Sequence, residues 1–315
     1  MRISVAMATR NGARFLERQL ASLAAQTRPP DELVISDDAS TDATTAIVQT
    51  FAARAPFPVR FSQNPAPLGV VGNFERAIEI TDGDVIALCD QDDLWVPDKL
   101  KMLEMLFIED IARTFIFTDA NLIDENDALI RSRLWSATMT DAQRERIETD
   151  PWGVLLGRNV VTGATVAFRA TLKAAALPIP KKIDLLHDGW LALVAAGIGR
   201  VHACPEALVS YRIHPGQHTG LGKAEPPPPQ SGRADAFAHS INRLKSLKIR
   251  LLEKGMSPAD PKIVEIEAFL THQTARGGLP ASRLARIPAV LRELAAGRYR
   301  RFANGWLSAG KDLFQ

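Results

Sequence analysis

The chain is short of cysteine, of net charge and of long apolar runs, and each shortage removes a class of protein. There are two cysteines in 315 residues, Cys89 and Cys204. Both lie inside apolar runs that read as strands. They are therefore expected as buried free thiols in a reducing compartment, not as a disulfide or a metal pair. Lysine and arginine number 38 against 36 acidic residues, a formal charge of +2. That balance argues against bulk electrostatic binding of nucleic acid. No run of about twenty apolar residues occurs, so no membrane span is expected. The opening Met1-Arg2-Ile3-Ser4-Val5-Ala6-Met7 is cut short by Thr9-Arg10-Asn11 and does not read as a signal peptide. A cytoplasmic protein is expected. Glycine-rich phosphate loops are missing too: there is no GxxxxGK[ST], and no GxGxxG follows the first strand. P-loop and dinucleotide-binding proteins are thereby excluded.

What is present is ordinary globular composition, 46% hydrophobic and 23% charged, arranged as alternating strands and helices. Strands are expected at Ile3 to Ala8, Glu32 to Ser36, Val59 to Phe61, Val85 to Cys89 and Phe115 to Asp119. Between them run helical patterns: Phe15, Leu16, Leu20 and Leu23 on one face, then Ile47 and Val48. A third starts near Asn73 after a loop over 64–72, and a fourth, after Pro97, carries Leu100, Leu103 and Leu106-Phe107. This alternation predicts an α/β fold with a mostly parallel sheet flanked by helices. Further strands are expected at Val160 to Phe168 and Val201 to Ser210, with a helix over Asp188 to Ala196. A Pro-rich linker is read at 223–234, dividing a catalytic domain at 1–222 from a helical extension at 235–315. The stripes Ile241, Leu244, Leu247, Leu251 and Ile263, Ile266, Phe269-Leu270 belong to that extension.

Open α/β sheets bind ligands beyond the carboxyl ends of their strands. Here the first strand delivers Thr9 and Asn11, the second Asp37 and Asp38, the fourth Asp90, Asp92 and Asp93, and the fifth Asp119. Converging carboxylates repel one another unless a cation lies among them, and Mg²⁺ or Mn²⁺ suits oxygen ligands. Such ions are usually completed by phosphate oxygens, which points to a diphosphate substrate. Single aspartates at strand ends are ordinarily turn formers or caps, a reading that stays open for Asp37 and Asp42. Asp90-Gln91-Asp92-Asp93 is different, because three carboxylates in four residues are costly without a partner.

Together these segments resemble the family 2 glycosyltransferases of GT-A fold. The resemblance is carried by Ser4 to Gly12, Asp31 to Asp42, Cys89 to Leu100, Val161 to Thr165, His187-Asp188-Gly189-Trp190 and Tyr211-Arg212-Ile213-His214, in that order over about residues 1–220. It implies an inverting, metal-dependent transfer of sugar from a UDP- or dTDP-sugar to a glycan or lipid-linked acceptor. In wording it is most similar to rhamnosyltransferases. At matching positions it implies that Thr9 lies against the nucleotide, Asp38 bonds the base and Asp90 approaches the ribose. Asp92, with Asp93 beside it, would be the metal ligand of the D-x-D motif. Asp188 would be the general base, and His214 would sit near the metal and diphosphate.

Other residues keep two readings. Asp188 begins a helix and could be its cap. His214 and His218 could be surface histidines. Trp190 and Trp95 could stack on sugars or pack in the core. Trp190, His187 and Asp119 are candidates for the acceptor side. Two departures from the family pattern stand out: Arg10, which suits a phosphate, and Gly72, which removes an expected lysine. The tail from Arg283 to Lys311 is basic and amphipathic, fit either to lie on an anionic membrane surface or to pack against protein. Rival readings are a sugar nucleotidyltransferase, for which Ala8 to Gly12 is a poor match, and an inactive nucleotide-sugar-binding partner.

Overall fold

The structure, a computed structural model, describes residues 1–217 and 233–314. The greater part of the Pro-rich segment, and His218, lie outside the described residues. The chain divides into two compact units, Met1–Ile179 with Leu186–Lys223, and Pro180–Leu185 with Ala224–Gln315.

The first unit is built on a nine-stranded sheet. Its strands are β1 (Ile3–Thr9), β2 (Glu32–Asp37), β3 (Val59–Gln63), β4 (Val85–Cys89), β5 (Leu94–Trp95), β6 (Arg113–Ile123), β7 (Leu129–Arg131), β8 (Val166–Arg169) and β9 (Arg200–Arg212). They are ordered β3-β2-β1-β4-β8-β6-β9-β5, with β7 paired to β6. β8 runs antiparallel to both β4 and β6, so β1 to β4, β6 and β9 all point one way. The sheet is therefore mostly parallel. β2 and β4 are buried along their whole length and β1 nearly so, which is why these strands read as unbroken apolar runs.

Helices cover the sheet: α1 (Ala13–Ala24), α2 (Thr44–Ala52), α3 (Gly69–Glu79) and α4 (Lys99–Glu109), then the short α5 (Trp135–Thr138), α6 (Asp141–Ile147), α7 (Pro151–Gly157) and α8 (Lys173–Ala176), and finally α9 (His187–Ile198). On α1 the face expected from sequence is the buried one: Phe15, Leu16, Leu20 and Leu23, joined by Gln19. Each such apolar side chain contributes roughly 1.5–3 kcal/mol when buried. Leu16→Ala would cost about 2–5 kcal/mol. α9 is buried from His187 to Gly197, as expected of a helix apolar all round.

Two expected boundaries move. α3 begins at Gly69, four residues before Asn73, because the Asp38 carboxylate accepts the N–H groups of Leu68 (2.6 Å) and Gly69 (3.0 Å) and so organises the first turn from a neighbouring strand. The strand expected from Val160 forms only at Val166. Gly163–Thr165 instead makes a 3₁₀ turn, closed by the Thr165 N–H and Oγ1 on the Thr162 carbonyl.

The second unit contains α10 (Arg233–Glu253), α11 (Pro261–Gly277), α12 (Arg283–Ala295), α13 (Arg298–Phe302) and α14 (Trp306–Phe314). Leu244, Leu247 and Leu251 of α10 and Ile263, Ile266 and Phe269 of α11 are buried. Beside them run a buried hydrogen bond, His272 with Glu293 at 2.9 Å, and a half-buried ion pair, Arg276 with Asp312 at 2.6 Å.

Candidate active site

A cleft of about 220 Å³ opens beyond the carboxyl ends of β1, β2 and β4. It is lined by Thr9 and Arg10, by Asp38, by Gly69, Asn73 and Phe74 of α3, by Asp90, Gln91 and Asp92, by Tyr211 near the end of β9 and by Gln217 beyond it. Its position follows from topology: three parallel strands end on one edge, and each delivers its next residues there.

The floor is held by a dense hydrogen-bond network. The Thr9 hydroxyl donates to Asp37 (2.9 Å), which also accepts from the Ser40 N–H (2.9 Å) and hydroxyl. Asp37, fully buried, is thus structural. Asp38 lines the cleft, and its oxygens accept from Leu68, Gly69 and the Asn64 amide (3.3 Å), with Arg10 Nη1 at 3.4 Å. Asn73 donates to the Thr9 carbonyl at 3.1 Å. Gln91, to which sequence reasoning gave no role, clamps the Arg10 peptide from both sides: its Oε1 accepts the Arg10 N–H (2.8 Å) and its Nε2 donates to the Arg10 carbonyl (3.1 Å). Gly12 makes room for that clamp, since a Cβ there would lie 2.1 Å from Gln91 Oε1.

Asp92 Oδ2 meets His214 Nε2 at 2.9 Å. Around this pair further carboxyls are crowded and buried. Burial, reinforced by Asp92 and Asp188, pushes the Asp90 carboxyl up to about 7. Asp93 is driven well above the usual carboxylate range by burial and then by Asp92 and Asp90. Among the described residues no group of three or more His, Cys, Asp or Glu side chains forms a metal cage. The carboxylate and imidazole of Asp92 and His214 are nevertheless a donor pair that fits a divalent cation taking its other ligands from a diphosphate. The fit rests on the donor set, a carboxylate oxygen and an imidazole nitrogen held side by side at the edge of the cleft.

Several expected site residues are used elsewhere. Asn11 does not line the cleft: at φ +46° it accepts the Thr41 N–H (2.9 Å) and stitches together the loops after β1 and β2. Asp93 is buried with its Oδ1 on the Arg212 N–H (2.8 Å), fastening the loop after β4 to β9. Trp190 is fully buried, its Nε1 donating to the Ala176 carbonyl at 2.8 Å, so it packs in the core. Trp95 is a core residue too. His187 stacks on Phe74 at 3.9 Å between ring centroids, behind the wall of the cleft. Burial takes its pKa down to about 3, so the imidazole is neutral. Asp119 lies in a separate cleft with Arg133, Trp135 and Arg144. Its carboxylate accepts the N–H groups of Ala120 (2.8 Å) and Trp135 (2.9 Å). At that point β9 carries two extra residues, Pro205 and Glu206, between Cys204 and Ala207, the partners of Thr118 and Asp119.

Asp188 sits in the first turn of α9, its Oδ1 accepting the Gly189 N–H at 2.6 Å. Burial raises its pKa to about 6, against the lowering effect of the Gly189 and Gly163 N–H groups. It is not part of the cleft lining, but its charge acts on Asp90.

Two buried basic side chains complete the surroundings. Arg212, inside a noticed motif but given no role, donates to the carbonyls of Asp92 (2.6 Å) and Asp124 (2.8 Å), pairs with Asp127 at 2.5 Å and lies 4.7 Å over the Phe15 ring. Lys99 donates to the Ala164 carbonyl at 2.7 Å beneath Trp95, and burial lowers its pKa to about 7. Only the Tyr-Arg-x-His spacing could have flagged Arg212. Nothing local flags Lys99, whose partners are brought together by the fold.

Residues 4–152 match the model of the family described as glycosyl transferase family 2. An uncharacterized glycosyltransferase of Nostoc sp. is 28% identical over 251 residues, 77% of this chain and 74% of its own length. An uncharacterized Mycobacterium tuberculosis protein is 29% identical over 67% of this chain, and the match spans only 59% of that protein. Shorter matches reach the Shigella flexneri dTDP-rhamnosyl transferase RfbG, 38% identical over 30% of this chain and 34% of that one. They also reach the Escherichia coli UDP-Glc:alpha-D-GlcNAc-diphosphoundecaprenol beta-1,3-glucosyltransferase WfgD, 27% identical over 39% and 47%. The fold is shared with S. aureus TarS 1–349 in complex with UDP-GlcNAc, at a TM-score of 0.60 and 18% identity over 94% of this chain and 81% of that one. It is also shared with the mannosyltransferase PcManGT from Pyrobaculum calidifontis in complex with GDP-Man and Mn²⁺, at 0.54 and 18% over 99% and 80%.

Proposed function

Because this chain belongs to the family 2 glycosyltransferases, we propose that it moves a sugar from a nucleoside-diphosphate donor, UDP- or dTDP-linked, to a glycan or lipid-linked acceptor with inversion. The single observation that carries the reading is the cleft at the ends of β1, β2 and β4, with Asp92 and His214 2.9 Å apart at its edge. RfbG, by name, uses a dTDP-rhamnosyl donor, and WfgD a diphosphoundecaprenol-linked acceptor. These names support dTDP-rhamnose among the donors to try and polysaccharide assembly as the setting.

In this reading Thr9 and Asp38 face the nucleotide. Asp38 has one replaceable partner, the half-exposed Arg10 at 3.4 Å. A base N–H displacing Arg10 would gain the carboxylate oxygen and free the guanidinium for a phosphate. Asp92 and His214 would hold Mg²⁺ or Mn²⁺, which when bound offsets charge on the departing diphosphate. Asp188 takes the proton from the acceptor hydroxyl as the sugar carbon is attacked from the face opposite the nucleotide. Its raised pKa makes it a stronger base than an ordinary carboxylate while leaving it ionised at neutral pH.

The test is a screen of UDP- and dTDP-sugars with Mn²⁺ or Mg²⁺, reading free nucleoside diphosphate, with Asp92→Ala alongside. Metal-dependent release from one donor, at least tenfold weaker in Asp92→Ala, is expected. Absence of both turnover and calorimetric nucleotide binding overturns the reading.

A further inference from the structure

The last helices of the second unit turn their acids inward and leave several large apolar side chains outside. The acidic residues between 281 and 314 are Glu293 and Asp312, and both are buried. Glu293 pairs with His272 and Arg298, and Asp312 with Arg276 and the Tyr299 hydroxyl. Val290 is buried and Leu294 and Leu313 pack half-buried on the helical core, but six large apolar residues of the same helices face outward: Leu284, Ile287 and Leu291 on α12, Trp306, Leu307 and Phe314 on α14. Leu284 and Trp306 are each 79% exposed.

Helical geometry makes these patches continuous. At 100° per residue, Leu284, Ile287 and Leu291 fall within about 60° on α12, and with Pro288 within about 100°, opposite the buried arc of Arg286, Val290 and Glu293. Arg283 and Arg292 flank that stripe about 90° to either side. On α14, Trp306, Leu307 and Phe314 share an arc of about 100° with Lys311 at its edge, opposite buried Ala309 and Asp312. Arg283, Arg292, Arg300 and Lys311 are exposed. With both acids turned inward, the surface of this segment shows positive charge and apolar side chains but no negative charge.

We infer that α12 and α14 form a docking surface for an anionic phospholipid bilayer. An aqueous surface would favour the opposite arrangement, with charges out and leucines in. A protein partner covering the stripe would not require every carboxylate to be withdrawn, whereas lipid phosphates would. The exposed tryptophan suits the headgroup level, and the flanking arginines suit anionic headgroups. This docking goes beyond the transfer reaction and does not depend on it.

The test uses the full chain in flotation with phosphatidylcholine vesicles and with vesicles containing 30% phosphatidylglycerol, at low and at 0.5 M salt. Binding to the anionic vesicles alone, weakened by salt, is expected. The pair Arg283→Gln and Arg292→Gln should weaken it by roughly 25-fold, about fivefold per charge. The pair Leu291→Gln and Trp306→Gln should weaken it by about tenfold or more. Both variants should keep the wild-type Tm, since the altered side chains are exposed, and wild-type nucleotide binding, which reports the cleft separately. Failure of the wild type to bind anionic vesicles, or unchanged binding of both variants, overturns the inference. So does a wild-type dimer that becomes monomeric in the Leu291→Gln, Trp306→Gln variant, because the surface then belongs to a second copy.

Discussion

Replacing Asp188 by asparagine separates a catalytic carboxylate from a structural one, because the two roles move stability in opposite directions. Burial lifts this carboxyl from 3.8 to about 6. The ionised form therefore costs the folded state up to about 3 kcal/mol. The sign follows from the raised value: the penalty is absent below the unfolded pKa, grows as pH rises from 3.8 to about 6, and is complete above it. Asparagine carries no such penalty and can still accept the Gly189 N–H through its Oδ1. The variant should thus match the wild type near pH 4 and melt several degrees higher at pH 7.5, at about 2–4 °C per kcal/mol for a chain of this order of size. Activity should go the other way. Loss of a general base costs about 10²–10⁴ in rate. In the wild type kcat/KM should fall about tenfold between its plateau and pH 5, while the residual rate of the variant should be flat there. Thermal melts at pH 4 and 7.5, with a pH series of donor turnover in the presence of acceptor, measure all of this. A variant that melts lower and keeps its rate within about threefold would show Asp188 to be a helix cap, and the reasoning would fail.

The remaining predictions concern the supports of the cleft. Arg212→Met leaves the Asp92 carbonyl without its side-chain donor and takes a guanidinium from Asp127, which keeps Arg18, and from the Asp124 carbonyl, which keeps the Asp127 N–H. Urea denaturation should show a loss of about 1–3 kcal/mol. Gly12→Ala pushes Gln91 off the Arg10 peptide; a stability loss of about 1–2 kcal/mol and a raised donor KM are expected. Chelation with EDTA should abolish turnover and added Mn²⁺ should restore it, without a large change in Tm, because Asp92 and His214 already contact one another.

Much of the first unit was legible in the sequence, for local reasons. β1, β2 and β4 are short apolar runs ended by polar clusters, and α1 buries the four apolar residues that share its face. The start of α3 was not legible. Its cap is Asp38, some thirty residues upstream, so nothing near Gly69 signals a helix. The 3₁₀ turn at Gly163 was hidden for a similar reason: the stretch from Val160 is apolar enough for a strand, and a Cβ on Gly163 would come 3.0 Å from His187 Nε2.

The sequence by itself determined the fold class, the family and the strand ends on which the carboxylates stand, because all three are written in short-range pattern and spacing. Which carboxylates face the cleft was a tertiary decision. Asp90 and Asp92 line it, whereas Asp93, one residue further on, turns to the Arg212 N–H; Asp119 turns to Trp135 and Trp190 to Ala176. The same holds for the tail. Composition showed a basic amphipathic segment, but only the packing of α12 and α14 decided that its acids lie inside while Leu284, Leu291, Trp306 and Leu307 lie outside. A side chain's chemistry is fixed by its type, but its partner is chosen by elements far away in the chain. Burial and charge act at that partner, and only the folded structure brings it within reach.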